Sequence, residues 1–405
     1  MALTIITTLV SSLLPIPKNL QSVVVGYLLS LMTEAPKHTQ QFAASISGIS
    51  QSQFSKLLST HKAFAVLCLK NLATFYAKAA AKNRPFLVNG APWSIAIIID
   101  ATLHPRSSLH VHNAQRFNHG QGFIVGHQWT NIVLYINGQT IPLPPIAYLT
   151  RNECQCRGME YKTEHEHIEA YLKTLNLASY VGSYTDSEVV VLTDSGYDNK
   201  DIQNAILNRG WDFVSAIKTS RSATTKITKL KKNIVWRRID DLFWASRKQA
   251  PWTTVCLKTD GGKKRRKFRA RKLEGFIKGV SRKLALVCSE KSKGKGRRYF
   301  ACSRSKLSEG VISKTYSLRW SVELFHRASK SQFGLCDAGV EDFESLTSHV
   351  HWVYCAYLLM NGLKIDGASS LLDKQRRFRE LATKAPWEKR LHEIIKSKTQ
   401  YGGRE

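Results

Sequence analysis

The chain has 405 residues, 43% hydrophobic and 10% aromatic, which is enough apolar material for a sizeable core divided among roughly two to four units. Sixty Lys and Arg against thirty Asp and Glu leave a formal charge of +30, a self-repulsion that a polyanion would neutralise. This excludes a disordered chain and points to nucleic acid. An anionic membrane surface fits less well, because the basic residues sit among aromatics and turn formers instead of forming one amphipathic anchor.

The opening MALTIITTLVSSLLPIPKN is apolar but lacks a basic leader and a small-residue cleavage site, so it reads as a buried helix. No later apolar run reaches the roughly 20 residues that span a bilayer, and a cytoplasmic protein is expected. Residues 1–88 read as a helical N-terminal unit. Within it, HTQQFAASISGISQSQFSKLLST has the form helix, turn, helix, with Gly48 in the turn, Ser50 capping the second helix, and Ser52, Gln53 and Lys56 facing outward. It fits a DNA-reading unit and an ordinary helical hairpin alike.

Residues 89–220 change period. SIAIIID is a continuous apolar run ending in Asp100, the pattern of a strand covered on both faces. FIVGHQWTNIVLYINGQTIPL reads as a hairpin turning at Asn137-Gly138. A helix over 164–178 precedes a second buried strand, EVVVLTD, which ends in Asp194. YDNKDIQNAILNRG has helical spacing with Gly210 as its stop, and WDFVSAIK is another strand. Strand, hairpin, helix, strand, helix, strand is an α/β order. Asp198 and Asp201 read as helix-start residues.

Residues 221–302 read as a β-rich basic insertion in which IVWRRI, WTTVCL, KLALVC and RRYFAC are strand-like. The clusters GGKKRRKFRARK, with Lys263, Lys264, Arg265 and Arg266, and KSKGKGRR read as exposed cationic loops suited to phosphates. Residues 303–365 return to the core, and 366–405 form a helical appendage. The eight cysteines make no disulfide framework in a chain this long. Cys154 and Cys156 with His165 and His167 form a poor match to common zinc sites.

In YSLRWSVELFHRASK, helical geometry would bring Tyr316, Arg319, Glu323 and Lys330 onto one polar stripe, with Leu318, Val322 and Phe325 on the apolar side. Arg327 and His326 share the polar side and could add phosphate contacts, although His326 could instead pack against the sheet. Asp100 and Asp194, at strand ends of an open α/β sheet, point into the crevice where ligands bind. Glu323 would join them. Three carboxylates converging in a basic protein repel one another unless divalent cations share them, and an all-oxygen set suits magnesium. Two such ions, about 3.5–4 Å apart, activate the nucleophile and stabilise the leaving oxygen of a phosphodiester.

The same segment resembles the Y-x2-R-x3-E-x6-K signature of DDE transposases of the insertion sequence four family, with Tyr316, Arg319, Glu323 and Lys330 on its places. TDSGYDNKDIQNAILNRGWDFVSAIK is similar to the region around that family's second aspartate, and Asp100 to its first. The resemblance spans roughly residues 90 to 365 and implies an RNase H-like core interrupted by a β-rich insertion, in a prokaryotic, DNA-associated protein. It further implies Asp100, Asp194 and Glu323 as ligands of Mg2+, with Mn2+ able to substitute, and Tyr316, Arg319 and Lys330 at the phosphates. Transposon-end inverted repeats would be bound by a homodimer, nicked and transferred into target DNA, with a hairpin at the transposon end as one route. An insertion tryptophan would stack on a flipped base, with Trp236, Trp244 and Trp252 as candidates. The rival readings are a nuclease of the same core without strand transfer, and a catalytically silent DNA-binding derivative.

Overall fold

A computed structural model describes residues 10, 14, 16–120, 122–226, 234–259, 264–291, 296–365, 367–368 and 370–383. Most of the apolar opening segment, Lys263, the middle of KSKGKGRR and residues 384–405 lie outside them.

Helices Gln21–Met32, Gln40–Ser47, Gln51–Thr60 and Lys62–Ala81 form the N-terminal unit. Thr39 Oγ1 accepts the Phe42 N–H to start the second of these, and Gly48, at φ 71°, ends it. Ser50 occupies the next N-cap, but its hydroxyl meets that of Ser52 instead of capping. Ser52, Gln53 and Lys56 are exposed, while Phe54, Leu57 and Leu58 are buried. The helices pack against Phe343–Gly362, a helix buried along nearly its whole length; it is buried on every side, with Ser345, Thr347, His349 and His351 among its buried residues, so it shows no amphipathic stripe in the sequence. His38 N–H donates to Asp337 Oδ2 at 2.8 Å and Tyr27 Oη lies 2.7 Å from His349 Nδ1, tying the unit to the rest of the chain.

The strands are β1 (Ile95–Pro105), β2 (Gln115–His119), β3 (Gly122–Ile136), β4 (Gln139–Pro142), β5 (Ile146–Ala147), β6 (Val189–Thr193), β7 (Asp212–Ile217), β8 (Ser222–Thr224), β9 (Arg237–Arg238), β10 (Thr253–Thr259), β11 (Lys264–Ile277), β12 (Leu284–Glu290) and β13 (Arg298–Cys302). They form one mixed, mostly antiparallel sheet in the order β2-β3-β1-β6-β7-β13-β12-β11-β8-β9, with β10 on β11 and β4 and β5 on β3. Among the described residues, only β1–β6 and β6–β7 pair in parallel. The β3–β4 hairpin turns at Asn137 and Gly138, both at positive φ, as its sequence indicates. The stretch read as one helix over 164–178 divides into Glu164–Thr174 and Leu177–Val181, separated where Leu175 leaves helical geometry.

Two readings of the insertion change. GGKKRRKFRARK does not stay a loop: from Lys264 onward it is β11, paired with β12 on one edge and with β10 and then β8 on the other. Its cations are tolerated in a strand because Arg269 pairs with Glu290 and Arg271 donates to the Phe243 carbonyl. IVWRRI forms only the two-residue β9; Asp240 and Asp241 then favour the first turn of helix Ile239–Ala245. The sheet is also continuous, since β13 pairs with β7.

Candidate active site

Parallel register sets Ile99 of β1 opposite Thr193 of β6, so Asp100 and Asp194, the residues that follow, stand level. Asp100 is not at a strand end as its sequence suggests. β1 runs on to Pro105 because β3 keeps pairing with it as far as Gly126, and only the β6 side opens. Asp194 begins the turn after β6, and its Oδ1 accepts the Gly196 N–H at 2.8 Å. A Cβ on Gly196 would lie 2.9 Å from that oxygen, so any larger residue there would make the Asp194 carboxylate shift.

The signature segment is not one helix. Helix Glu309–Ser317 ends, Leu318 and Arg319 accept tightened i to i−3 bonds, and Trp320–Ser331 begins. Tyr316 therefore belongs to the earlier helix, its ring 4.5 Å from Phe300 and with the Arg319 guanidinium 6.0 Å from its centre. Val322 and Phe325 are fully buried and Leu318 is half-buried, which is the expected apolar side. Lys330 and Arg327 are exposed on the other side.

Arg319 joins two of the acids: Nη1 lies 3.2 Å from Asp100 Oδ2 and Nη2 lies 3.1 Å from Glu323 Oε1. His326 is buried and packs inward, not toward solvent phosphates; its Nε2 lies 2.9 Å from Asn131 Nδ2 and its Nδ1 3.9 Å from Asp100 Oδ2. Asn131 is the cross-strand partner of Asp100, and its Oδ1 accepts from the Tyr354 hydroxyl at 2.6 Å. Burial pushes the Asp100 carboxyl up to about 7, the Asp194 and Glu323 charges adding to the rise and Arg319 opposing it. Burial likewise lowers His326 to about 3, helped by Lys330 and Arg319.

Among the described residues, Asp100, Glu323 and His326 are the one group of His, Cys, Asp or Glu whose ligand atoms all lie within 4.8 Å of one another. Asp194 stands outside that group yet close enough for its charge to act on Asp100. A divalent cation fits this donor set: it would stabilise an Asp100 carboxylate that burial and like charge now disfavour.

Of the insertion residues, Lys264 and Arg265 lie on β11 opposite Thr259 and Lys258, and Arg266 is exposed opposite Leu257. Trp252 is half-buried between the Arg269 and Arg271 guanidinium groups, at 5.0 and 4.8 Å. Trp244 is 65% exposed with Arg247 at 4.4 Å, and with Trp236, Arg237, Arg238 and Asp241 it lines a cavity of about 540 Å³. Asp198 is no helix starter. It is buried, and its carboxylate takes the Lys218 N–H at 2.9 Å and meets Arg221 at 3.3 Å, while Asn199 caps the helix. Beside it Lys200, Lys218, Arg221 and Lys278 line a cationic cavity of about 550 Å³, assembled from separated segments that no local pattern announces.

A buried carboxylate, Asp100, with the half-buried Asp194 and Glu323 beside it at a sheet opening in a chain of charge +30, is the donor set of metal-dependent phosphodiester chemistry. A family model described as a transposase DDE domain matches residues 94–359. The chain belongs to that family, and as a transposase it acts on DNA by hydrolysis and transesterification, chemistry for which the family uses divalent metal ions. No curated protein matches the chain. Among the described residues, no helix is long and apolar enough to cross a membrane.

Proposed function

We propose that the protein is a cut-and-paste transposase of the insertion sequence four type, which binds the inverted repeats at its own transposon ends, cleaves them and joins the 3′ ends to target DNA. The observation that carries this reading is the meeting of Asp100 and Glu323, from opposite parts of the matched region, around one guanidinium, with Asp194 level with Asp100 on the next strand. Two Mg2+ ions, or Mn2+ in their place, bound by Asp100, Asp194 and Glu323 would activate the attacking hydroxyl and stabilise the leaving oxygen.

The chain's own residues supply the rest. Arg319 neutralises two carboxylates here, and its planar fork suits a pair of phosphate oxygens just as well. Exposed Arg327 and Lys330 continue its helix as further phosphate contacts, with Tyr316 against Phe300 at the near end. The run β3-β1-β6-β7, antiparallel and then twice parallel, supports an RNase H-like core. The N-terminal helices, with Ser52, Gln53 and Lys56 outward, take the end sequence. The insertion, through Lys263, Lys264, Arg265, Arg266 and either Trp244 or Trp252, holds the DNA flank. Work on two ends at once calls for a homodimer.

The test incubates the purified protein and Glu323→Ala with a plasmid carrying the ends that flank its gene, in Mg2+. Excised element and joined products from the unmodified protein alone support the reading. Cleavage without joined product makes it a nuclease, and binding without cleavage under Mg2+ and Mn2+ makes it a DNA-binding derivative.

A further inference from the structure

His326 invites a metal-ligand assignment, since it stands with Asp100 and Glu323 in one group of ligand atoms. A ligand nitrogen needs a free lone pair, so the question is which ring nitrogen carries the proton. The answer lies deeper in the molecule, at Tyr354 on the buried Phe343–Gly362 helix.

Tyr354 is fully buried, and a hydroxyl proton without an acceptor there would cost about 1–3 kcal/mol. Its acceptor is Asn131 Oδ1 at 2.6 Å, which orients the carboxamide. Asn131 Nδ2 then faces His326 Nε2 at 2.9 Å, and because an amide nitrogen only donates, Nε2 must offer its lone pair. An imidazole whose Nε2 accepts carries no proton there, so its single N–H is on Nδ1. That nitrogen faces Asp100 Oδ2 at 3.9 Å, longer than a hydrogen bond, with Arg319 Nη1 on the same oxygen at 3.2 Å. Asp100 and Asn131 are directly opposed across β1 and β3, so their side chains share one face of the sheet.

We propose that His326 is a positioning residue for Asp100 and not a metal ligand: Tyr354 and Asn131 lock its imidazole in the Nδ1–H tautomer, which turns its N–H toward the Asp100 carboxylate. The proposal rests on the metal-site reading above. Its consequence is selectivity. A locked N–H keeps nitrogen away from the cation and leaves an oxygen-only site, which suits Mg2+ and Mn2+ and disfavours Zn2+. It also explains a polar trio in a buried place that apolar residues would fill at less desolvation cost.

The test labels histidine with 15N and reads the ring nitrogens of the metal-free protein by NMR, with His326→Asn assigning the signal. Protonated Nδ1 and pyridine-like Nε2 are expected. In Tyr354→Phe, which frees Asn131 to turn over, the signals should shift toward a tautomer mixture. Electron paramagnetic resonance of the Mn2+-loaded protein, comparing 14N- and 15N-histidine, should show no directly coordinated histidine nitrogen. An Nε2–H tautomer, an unchanged spectrum in Tyr354→Phe, or a coordinated histidine nitrogen each overturns the proposal. If no Mn2+ site is lost in Asp100→Asn, the metal reading itself fails, while the metal-free spectrum still decides the tautomer.

Discussion

At the amino end of β7, Asp212 is buried and saturated: its Oδ1 accepts from Ser303 Oγ at 2.6 Å, and its Oδ2 from Trp93 Nε1 at 3.0 Å and Arg304 Nε at 2.5 Å. Nearby, burial would raise Glu188, but the Thr185 N–H and Arg84 hold it down at about 2. Toward the opposite end of the same sheet, Asp100 is also buried, yet its neighbours include two more carboxylates and its pKa rises to about 7. One end uses carboxylates to join β7, β13 and the segment before β1. The other holds Asp100, whose charged form the fold disfavours even with Arg319 beside it, and that state is what a catalytic metal site presents before its cations.

The sharpest break of this comparison is a matched pair of isosteric changes. Asp100→Asn should reduce strand cleavage roughly 10³-fold, since it removes a ligand from a step the cations accelerate by several kcal/mol, while leaving the melting temperature unchanged or raised. Asp212→Asn should do the reverse, destabilising by about 3–5 kcal/mol in urea unfolding because Arg304 is left without its buried partner. Equal loss of stability in both would remove the distinction.

A pH series sharpens it. Asp100 has an ordinary carboxyl value near 3.8 when unfolded and about 7 when folded, so between these values the folded chain keeps a proton the unfolded chain has lost. In EDTA its contribution should therefore make stability fall as pH rises from about 4 to about 7, by up to about 1.4 kcal/mol per unit, and level off above. The difference between wild type and Asp100→Asn, measured by denaturant midpoints, isolates that slope; a flat difference contradicts the electrostatic account. Above pH 7 added Mn2+ should reverse the penalty, raising stability by about 2.7 kcal/mol at a hundred times its dissociation constant in wild type and by far less in Asp100→Asn.

These acids were legible because apolar strands and a spaced helical signature are local patterns. Asp100 and Asp194 follow IAIII and VVVLT, and Glu323 sits where Val322 and Phe325 fix the inward side of its helix. What was not legible depends on register and tertiary pairing. The break at Leu318 and Arg319 leaves no proline or glycine behind it. Asn131 meets Asp100 only through the β1–β3 register, and Tyr354 reaches Asn131 from a helix without an amphipathic stripe. The basic run of β11 reads as solvated loop until Glu290, the Phe243 carbonyl and Trp252 are brought beside it.

The insertion repeats the contrast on a smaller scale, in two tryptophans that composition alone cannot separate. Trp252 is half-buried with the Arg269 and Arg271 guanidinium groups near its ring, whereas Trp244 is largely exposed with Arg247 against its ring. Trp252→Ala should cost about 2 kcal/mol of stability, because it removes packed area and two cation–π partners together. Trp244→Ala should change stability by less than about 0.5 kcal/mol, as exposed positions do. If the insertion holds DNA, the order inverts when binding is measured: a base stacked on Trp244 is worth about 1–3 kcal/mol, and Arg266→Ala on β11 should lower the salt slope of binding by about 1. Trp252 already has two guanidinium groups within 5.0 Å of its ring, so an end-binding defect confined to Trp252→Ala at equal stability would move the DNA path from the Trp244 cavity to the β10–β11 edge.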